Sequence, residues 1–468
     1  MSILVSPSPV PNSHSIDLAS TVLDRDAYLI DLLNQIVQGV ERHSNNVSWL
    51  QELRERAVFW VRQSTLPTTR DEEWRFSDLS FLRKIQFHVE SRYSTSIDDQ
   101  SLPSLPETTT SRLVFVDGVY SCELSSVTGL PDGVVVSNLT NLPSTYSQRI
   151  QEYLAQSEGA HELFTALNTS GMVDVAVVWV SKNLVVETPI HLVFVATGEQ
   201  SGISLPRCLV VAETGSSVTL VEEYRNFLDA ENIDVDTKDG ASVQYLTNAV
   251  TEIWVGENAR VNHTRIETES AEAVHIGKTA VSQARYSWYG CHAVTFGGKL
   301  SRHNLEILQT GEQTETVLNG LTTIGGEQLA DTHSAIALNY PYGTSKQLHK
   351  CILSDRAHGV FNGKIFVPKP AQLTDAAQLN QNLLLSSKTR IDTKPQLEIT
   401  ADNVKCAHGA TVSQLEDDEI FYLQSRGIDA DDARHLLVNA FAAEVINQIP
   451  VVSVRQSLTQ IINSNRSL

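Results

Sequence analysis

The chain has 468 residues, with 35 Lys plus Arg against 55 Asp plus Glu and a formal net charge of −20. Hydrophobic residues make up 41% and charged ones only 19%, which excludes disorder as the dominant state and leaves ample material for a core. An acidic balance without a basic run also excludes a binder of phosphate backbones, so nucleic acid and anionic membrane surfaces drop out as partners. In chain order, residues 1–15 are rich in Ser and Pro and are expected to be a disordered tail. Leu29, Leu32, Leu33, Ile36, Val37 and Val40 then form one apolar helical stripe. Ser48 with Gln51 resembles a capping box that opens a second helix burying Leu53, Ala57, Trp60 and Val61, and Leu66-Pro67 stops it. These helices belong to an N-terminal helical region over 16–110.

From 111 to 415 the period changes to two. Leu113 to Val116, Val173 to Val180, Leu209 to Val211, Val218 to Val221, Ile253 to Val255 and Val261 to Ile266 read as short strands separated by Gly, Asn, Asp or Ser. A sandwich, a barrel or a solenoid could hold them, and internal similarity favours the solenoid. Val317-Leu318-Asn319-Gly320 returns 43 residues later as Val360-Phe361-Asn362-Gly363. Gln328 to Asp331 returns as Gln372 to Asp375, and Thr214 to Val218 is echoed weakly by Glu257 to Val261. This suits a parallel β-helix with coils of about twenty residues, two per repeat, in which Asn-Gly supplies the turns. After 415 helical periodicity resumes in a C-terminal domain over 416–468. Asp429 is the expected N-cap of a helix carrying Ala433, Leu436, Leu437, Ala440, Phe441 and Val445, and Pro450 precedes a last amphipathic stretch with Leu458, Ile461 and Ile462.

Five cysteines without a CxxC pair fit a reducing compartment. The N-terminus lacks a secretory signal and no run approaches the ~18 apolar residues of a membrane span, so a soluble cytoplasmic protein is expected. No Walker A loop, HExxH, dinucleotide fingerprint, GxSxG elbow or zinc spacing is present. Cys406 and His408 stand at i and i+2 of a predicted strand, on one face. There they form either a pair that shares a metal or a sulfur species, or a small buried residue beside a hydrogen-bonded histidine. His349 and Cys351 form a second such pair, for which the structural reading is preferred. The recurring Asp331 and Asp375 are more economically turn residues than a Ca²⁺ site or an acid–base pair of a carbohydrate-active solenoid enzyme. The stripe of Leu436, Leu437 and Phe441 is core unless part of it stays exposed for a partner.

Thr393-Lys394-Pro395-Gln396-Leu397-Glu398-Ile399, Asp402 through Val412 with Lys405-Cys406-Ala407-His408-Gly409-Ala410-Thr411 at its centre, and Phe421 through Ile428 resemble the C-terminal signature of the SufB/SufD family of SUF iron-sulfur cluster assembly proteins. Leu66-Pro67 with Asp71-Glu72-Glu73-Trp74-Arg75 resembles that family's N-terminal LPxxxDExW segment. The likeness is closest from 315 to 447, and from 80 to 300 it is one of general character. It implies a right-handed parallel β-helix between N- and C-terminal helical regions. It also implies pairing with SufB through the β-helix, or a homodimer in isolation, and binding of the SufC ATPase through the C-terminal helices. On that reading Leu436, Leu437 and Phe441 are the candidate SufC contacts, and the missing Walker motif belongs to the partner. The implied function is a non-catalytic scaffold on which iron and sulfide are assembled, without a tightly bound cofactor. A role for flavin, the iron source and the choice between bacterial cytoplasm and plastid stroma stay open. The family's histidine at the subunit interface falls on His408, as a residue handling iron or sulfur, with Cys406 beside it. The HGAT after Cys406 and the absence of cysteine from Leu379 to Leu384 side with the SufD branch over the SufB-type scaffold.

Overall fold

The computed structural model describes residues 25–43, 48–87, 97–99, 102–197, 201–227 and 244–464, so the expected disordered tail lies outside the described residues. Two helices come first, α1 (Ala27–His43) and α2 (Ser48–Gln63). Strands β1 (Ser111–Val116), β2 (Val119–Val127) and β3 (Val134–Asn138) follow, then α3 (Ser144–Ser147), α4 (Leu163–Gly171), β4 (Ala176–Val180), β5 (Ile190–Ala196), β6 (Ile203–Ser204), β7 (Arg207–Ala212) and β8 (Ser217–Asn226). A regular series continues with β9 (Leu246–Val255), β10 (Arg260–Thr268), β11 (Val274–Gln283), β12 (Trp288–Thr295), β13 (Leu300–Gln309), β14 (Glu315–Ile324), β15 (Leu329–Ala337), β16 (Thr344–Leu353), β17 (His358–Val367), β18 (Asp375–Leu384), β19 (Arg390–Ile399) and β20 (Lys405–Ser413). The chain then turns helical in α5 (Asp417–Ser425), α6 (Ala430–Ile446) and α7 (Val452–Ser464).

The strands form two ten-stranded sheets, ordered β2-β1-β5-β8-β10-β12-β14-β16-β18-β20 and β19-β17-β15-β13-β11-β9-β7-β4-β3, with β6 beside β9, and from β7 onward successive strands alternate between them. All pairs are parallel except β1 with β2 and β3 with β4. This is a parallel β-helix. Its coils are longer than expected: strands of one sheet start at 260, 288, 315, 344, 375 and 405, so a coil takes about 30 residues and contains two strands. A displacement of 43 residues is therefore one and a half coils, and it relates β14 in one sheet to β17 in the other. The weak echo from 214 to 257 links adjacent coils instead, since Ser217 pairs with Arg260 across a coil lengthened by the connection from Asn226 to Leu246.

The repeated Asn-Gly is not turn chemistry. A Cβ on Gly320 would lie 2.0 Å from His349 Nδ1, and one on Gly363 would lie 2.2 Å from Gln378 Nε2, so both glycines make room inside the solenoid for a large polar side chain. The corners are made by Asn258, Tyr286, Gln313, Tyr342 and Leu373, all left-handed at φ 56–60°. Each of them donates its amide to a carbonyl of the next coil, at Arg285, Glu312, Pro341, Gln372 and Asn403.

Helices cover both outer faces. Leu29, Leu33 and Ile36 of α1, Ala57 and Val61 of α2 and Ala166 and Leu167 of α4 pack with Leu246, Val274, Ile276 and Leu300 of one sheet. Val438, Ala442, Val445 and Ile446 of α6 with Val454 and Leu458 of α7 cover Val221, Ile266, Val294, Leu321 and Ile352 of the other. Strands buried on both faces read as nearly continuous apolar runs, which is why Val175 to Val180 shows no alternation.

The interior is partly ionic. Glu222 accepts from His263 Nε2 at 2.8 Å, and His263 Nδ1 lies 3.0 Å from the Tyr289 hydroxyl. Burial disfavours the charge on both, but Cys291 and Glu222 raise His263 to about 9 and His263 lowers Glu222 to about 2. A histidine whose folded pKa is raised contributes stability below its unfolded value of about 6.5, and loses that contribution as pH climbs through about 9. The urea midpoint should therefore fall between pH 7 and pH 9.5, and His263→Gln should flatten that slope. Equal slopes for the two proteins would show that His263 is not the group responsible.

Candidate functional site

A solenoid ends in open edges, and the C-terminal end of this one carries the family signature. Among the described residues β19 pairs only with β17, and β20 only with β18. Most residues of β20 are exposed. Because side chains alternate, Cys406, His408, Ala410 and Val412 share the inward face, in register with Ala376, Gln378, Asn380 and Asn382 of β18. Cys406 is half-buried against the core, and burial, with Asp375 nearby, pushes its thiol up. His408 is exposed, as is Val412 at 52%. The i, i+2 spacing thus puts a thiol and an imidazole side by side at the mouth of the solenoid. The thiol requires a positive partner, such as a metal ion, to ionise near neutral pH.

His349 and Cys351 also share an inward face but are enclosed. The His349 ring stacks on Phe361 at 4.9 Å and its Nε2 lies 3.2 Å from Thr322 Oγ1. Burial lowers His349 to about 4 and raises Cys351 to about 12, which leaves a neutral imidazole and a protonated thiol in the core.

The expectation that Asp331 and Asp375 are turn residues is overturned for Asp331. It lies within β15, buried, paired with Arg302 at 2.5 Å and accepting from Ser77 Oγ. Burial raises its pKa, but Arg302 and His333 outweigh that and hold it at about 2. Asp375 opens β18 in the opposite sheet and is exposed. The structure does not bring the two carboxylates of the carbohydrate-enzyme alternative together, because a repeat of one and a half coils puts equivalent residues on opposite sheets.

Asp331 instead explains the N-terminal motif. Trp74 lies under the Arg302 guanidinium at 3.9 Å, Arg302 donates to the Glu73 carbonyl at 2.7 Å, and Glu73 meets His333 at 3.1 Å. Lys394 of the terminal strand β19 holds Glu72 at 2.7 Å. The Asp71-to-Trp74 segment therefore straps the N-terminal region across β13, β15 and β19.

Asp429 caps α6 as expected, accepting from the amides of Asp431 and Asp432. The stripe on that helix is corrected: Ala433, Val438, Ala442, Val445 and Ile446 are buried, whereas Leu436 is 49% exposed and Leu437 half-buried. Phe441 packs inward, its ring 4.2 Å from Lys350 Nζ and its carbonyl accepting from that amine. The buried face is offset from the expected stripe: Val438, Ala442, Val445 and Ile446 meet the sheet and α7. Sequence reasoning also missed the most exposed apolar residues of this domain, Phe421 at 70% and Tyr422 at 58% on α5. Two adjacent aromatics on one short helix were the available signal.

Among the described residues, Glu267, Glu269 and His275 bring ligand atoms within 4.8 Å of one another. Arg265 already fills that gap, donating to Glu267 and His275, so the group is an internal ion network. No helix among the described residues is long and apolar enough to cross a membrane.

Residues 194–441 match the family model described as SUF system FeS cluster assembly, SufBD core domain, and residues 24–192 match the SufBD protein N-terminal region. The iron-sulfur cluster assembly SufBD family protein slr0076 of Synechocystis is 46% identical over 89% of this chain and 91% of its own length. The chloroplastic protein ABCI7 of Arabidopsis thaliana is 34% identical over 95% of this chain and 92% of its own. SufD of Escherichia coli is 30% identical over 90% of this chain and 92% of its own. Family signatures at both ends, joined by an eight-coil β-helix, agree with these matches, and the chain belongs to the SufB/SufD family of iron-sulfur cluster assembly proteins.

Proposed function

We propose that the chain is a SufD-type scaffold subunit, not an enzyme, which pairs with SufB through its last coil and binds the SufC ATPase through its C-terminal helices. The observation that carries this reading is the unpaired β19–β20 coil, which presents Cys406 and His408 on its inward face. An edge of free amides and carbonyls is a template for another chain, and a paired edge would hold His408 between two proteins. Iron and sulfide are substrates in this scheme, met by an exposed imidazole whose neutral form is a good metal ligand. The HGAT sequence and the cysteine-free Leu379 to Leu384 support the SufD assignment over SufB. Exposed Phe421, Tyr422 and Leu436, beside Asp417, Asp418 and Glu419, suit an apolar partner pocket with a basic rim. The compartment in this reading is the bacterial cytoplasm or the plastid stroma, and the chloroplastic name of one relative supports the plastid option.

Coexpression with SufB and SufC, followed by measurement of subunit stoichiometry and bound iron and sulfide, tests the reading. His408→Ala should keep all three subunits together and lower bound iron and sulfide by about 10-fold. Phe421→Asp should release SufC and retain SufB. Wild-type cluster content in the His408 variant removes the role of that residue, and retention of SufC by the Phe421 variant removes the aromatic contact.

A further inference from the structure

The N-terminal strap closes over a small polar cavity on the outer face of the solenoid. The cavity holds about 40 Å³, room for one ion and a bound water, and its lining includes Glu73 of the strap, Asp331 and His333 of β15 and Asn362 of β17. Two other lining residues, Glu72 and Lys394, are occupied with each other. Arg302 and Ser77 both engage Asp331 through Oδ2. Two acceptors remain. Asp331 Oδ1 and Asn362 Oδ1 have no hydrogen-bond partner among the described residues, although Asp331 is only 2% exposed and Asn362 7%. His333 Nε2 stands 2.9 Å from Asp331 Oδ1 as a charge contact, without the alignment of a hydrogen bond. A buried acceptor left without a donor costs about 1–3 kcal/mol, and here two such costs fall on one cavity.

His333 and Asn362 are paired in register on adjacent strands, so their side chains leave the sheet side by side. The Glu73 carboxylate lies 3.1 Å from His333 Nδ1, and the Asn362 amide reaches the same nitrogen at 3.4 Å. Ligands bound at about 2.0–2.2 Å to one cation stand roughly 3–3.5 Å from one another, so these three groups have the spacing of a coordination shell. The amide now presents its nitrogen at that distance, and its soft terminal torsion lets the free oxygen take the position. Three carboxylates of the lining, Glu72, Glu73 and Asp331, face two fixed cations, Arg75 and Lys394, which favours a further positive charge. The Glu73 side chain is largely exposed and gives the cavity a path to solvent. A proton on the ring would answer Glu73 but would leave Asn362 Oδ1 without a donor.

We propose that this cavity binds a divalent transition-metal cation through His333 Nδ1, the Glu73 carboxylate and Asn362 Oδ1. Water completes the shell, and a water on the ion donates to Asp331 Oδ1. One imidazole among carboxylate and amide oxygens is a mixed set that suits Mn²⁺ or Zn²⁺ better than Ca²⁺ or Mg²⁺. The ion clips the strap to β15 and β17. The site does not involve His408, and it stands or falls apart from the assembly role proposed for that residue.

The full-length chain carrying Cys406→Ser and His408→Ala, which removes the ligands of the terminal coil, is stripped with a chelator and titrated with Mn²⁺ near neutral pH, the free ion being read by electron paramagnetic resonance. One saturable equivalent is expected. Its spin-echo modulation should show one directly bound histidine nitrogen and should change on ¹⁵N-histidine labelling. Asn362→Leu keeps the volume of the side chain and removes its oxygen, and should weaken binding by more than about 10-fold. His333→Gln should abolish the nitrogen modulation. Circular dichroism and urea midpoints check that each variant is folded. Should His333→Gln fail to fold, the histidine modulation of the parent chain and the affinity of Asn362→Leu decide the matter. The absence of a saturable equivalent, which leaves a cavity filled by water only, overturns the proposal. So does an equivalent without histidine modulation, or one whose affinity is unchanged in Asn362→Leu.

Discussion

Replacing Glu252 with Ala is expected to cost about 3–5 kcal/mol of folding stability. Glu252 on β9 and Arg207 at the start of β7 are wholly buried and meet at 2.5 Å. Arg207 also donates to Asn168 Oδ1 and Thr169 Oγ1 of α4, both at 3.1 Å. Glu252 accepts the amides of Ala155 at 2.8 Å and Ser157 at 3.1 Å. The pair therefore joins the sheet to α4 and to the segment before it. Removing the carboxylate strands the Arg207 guanidinium in the core and leaves two backbone donors without their acceptor. Glu252→Gln keeps an acceptor but not the charge, and should lose less. Arg207→Met combined with Glu252→Leu should recover much of the loss, because a well-packed apolar pair removes both desolvation penalties. Urea unfolding of the full chain measures all three. A loss below about 1 kcal/mol for Glu252→Ala is the value expected of exposed pairs and contradicts the burial described.

Val412→Lys should leave folding stability within about 0.5 kcal/mol of wild type while weakening association with SufB by about 30-fold or more. Val412 belongs to the inward row of β20, yet half of its surface is open because no further coil lies above it. In the free chain a lysine there extends into solvent. In an end-to-end pair its ammonium would be trapped between two solenoids without a counter-charge. Titration of the variant against SufB, beside chemical unfolding, separates the two effects. Unaltered affinity would place the SufB contact elsewhere.

Much of the architecture was legible because solenoid strands keep period two and the flanking helices keep clean stripes, as Leu29 to Val40 does. The coil length was not legible, because the strongest internal match runs between opposite sheets. Asn319-Gly320 and Asn362-Gly363 match because each glycine clears space for a neighbouring His or Gln, so the similarity reports interior volume and not coil closure. The true corners use Asn, Tyr, Gln, Tyr and Leu in turn and share a backbone conformation but not one common residue type. The Cys406 and His408 pair was visible from spacing, since a strand places i and i+2 on one face whatever surrounds it. The placement of Gln378 beside His408 was not visible, because it is set by register between strands about 30 residues apart, which no local window contains. Leu436 and Phe441, expected on one stripe, separate in the structure, because the buried face of α6 runs through Val438, Ala442, Val445 and Ile446 instead.

The two ends of the solenoid are unlike, and this limits how copies can be joined. The first coils end in antiparallel β2 and β3, and the β1–β2 pair shifts register between Arg112 and Val114, a bulge of the kind that spoils an edge as a template. The last coil ends in parallel strands in regular register. A rod with one adhesive end forms a closed pair and stops, whereas a rod with two would polymerise head to tail into a fibre. The chain can thus expose a long run of unpaired backbone at its C-terminal end without becoming the subunit of a filament.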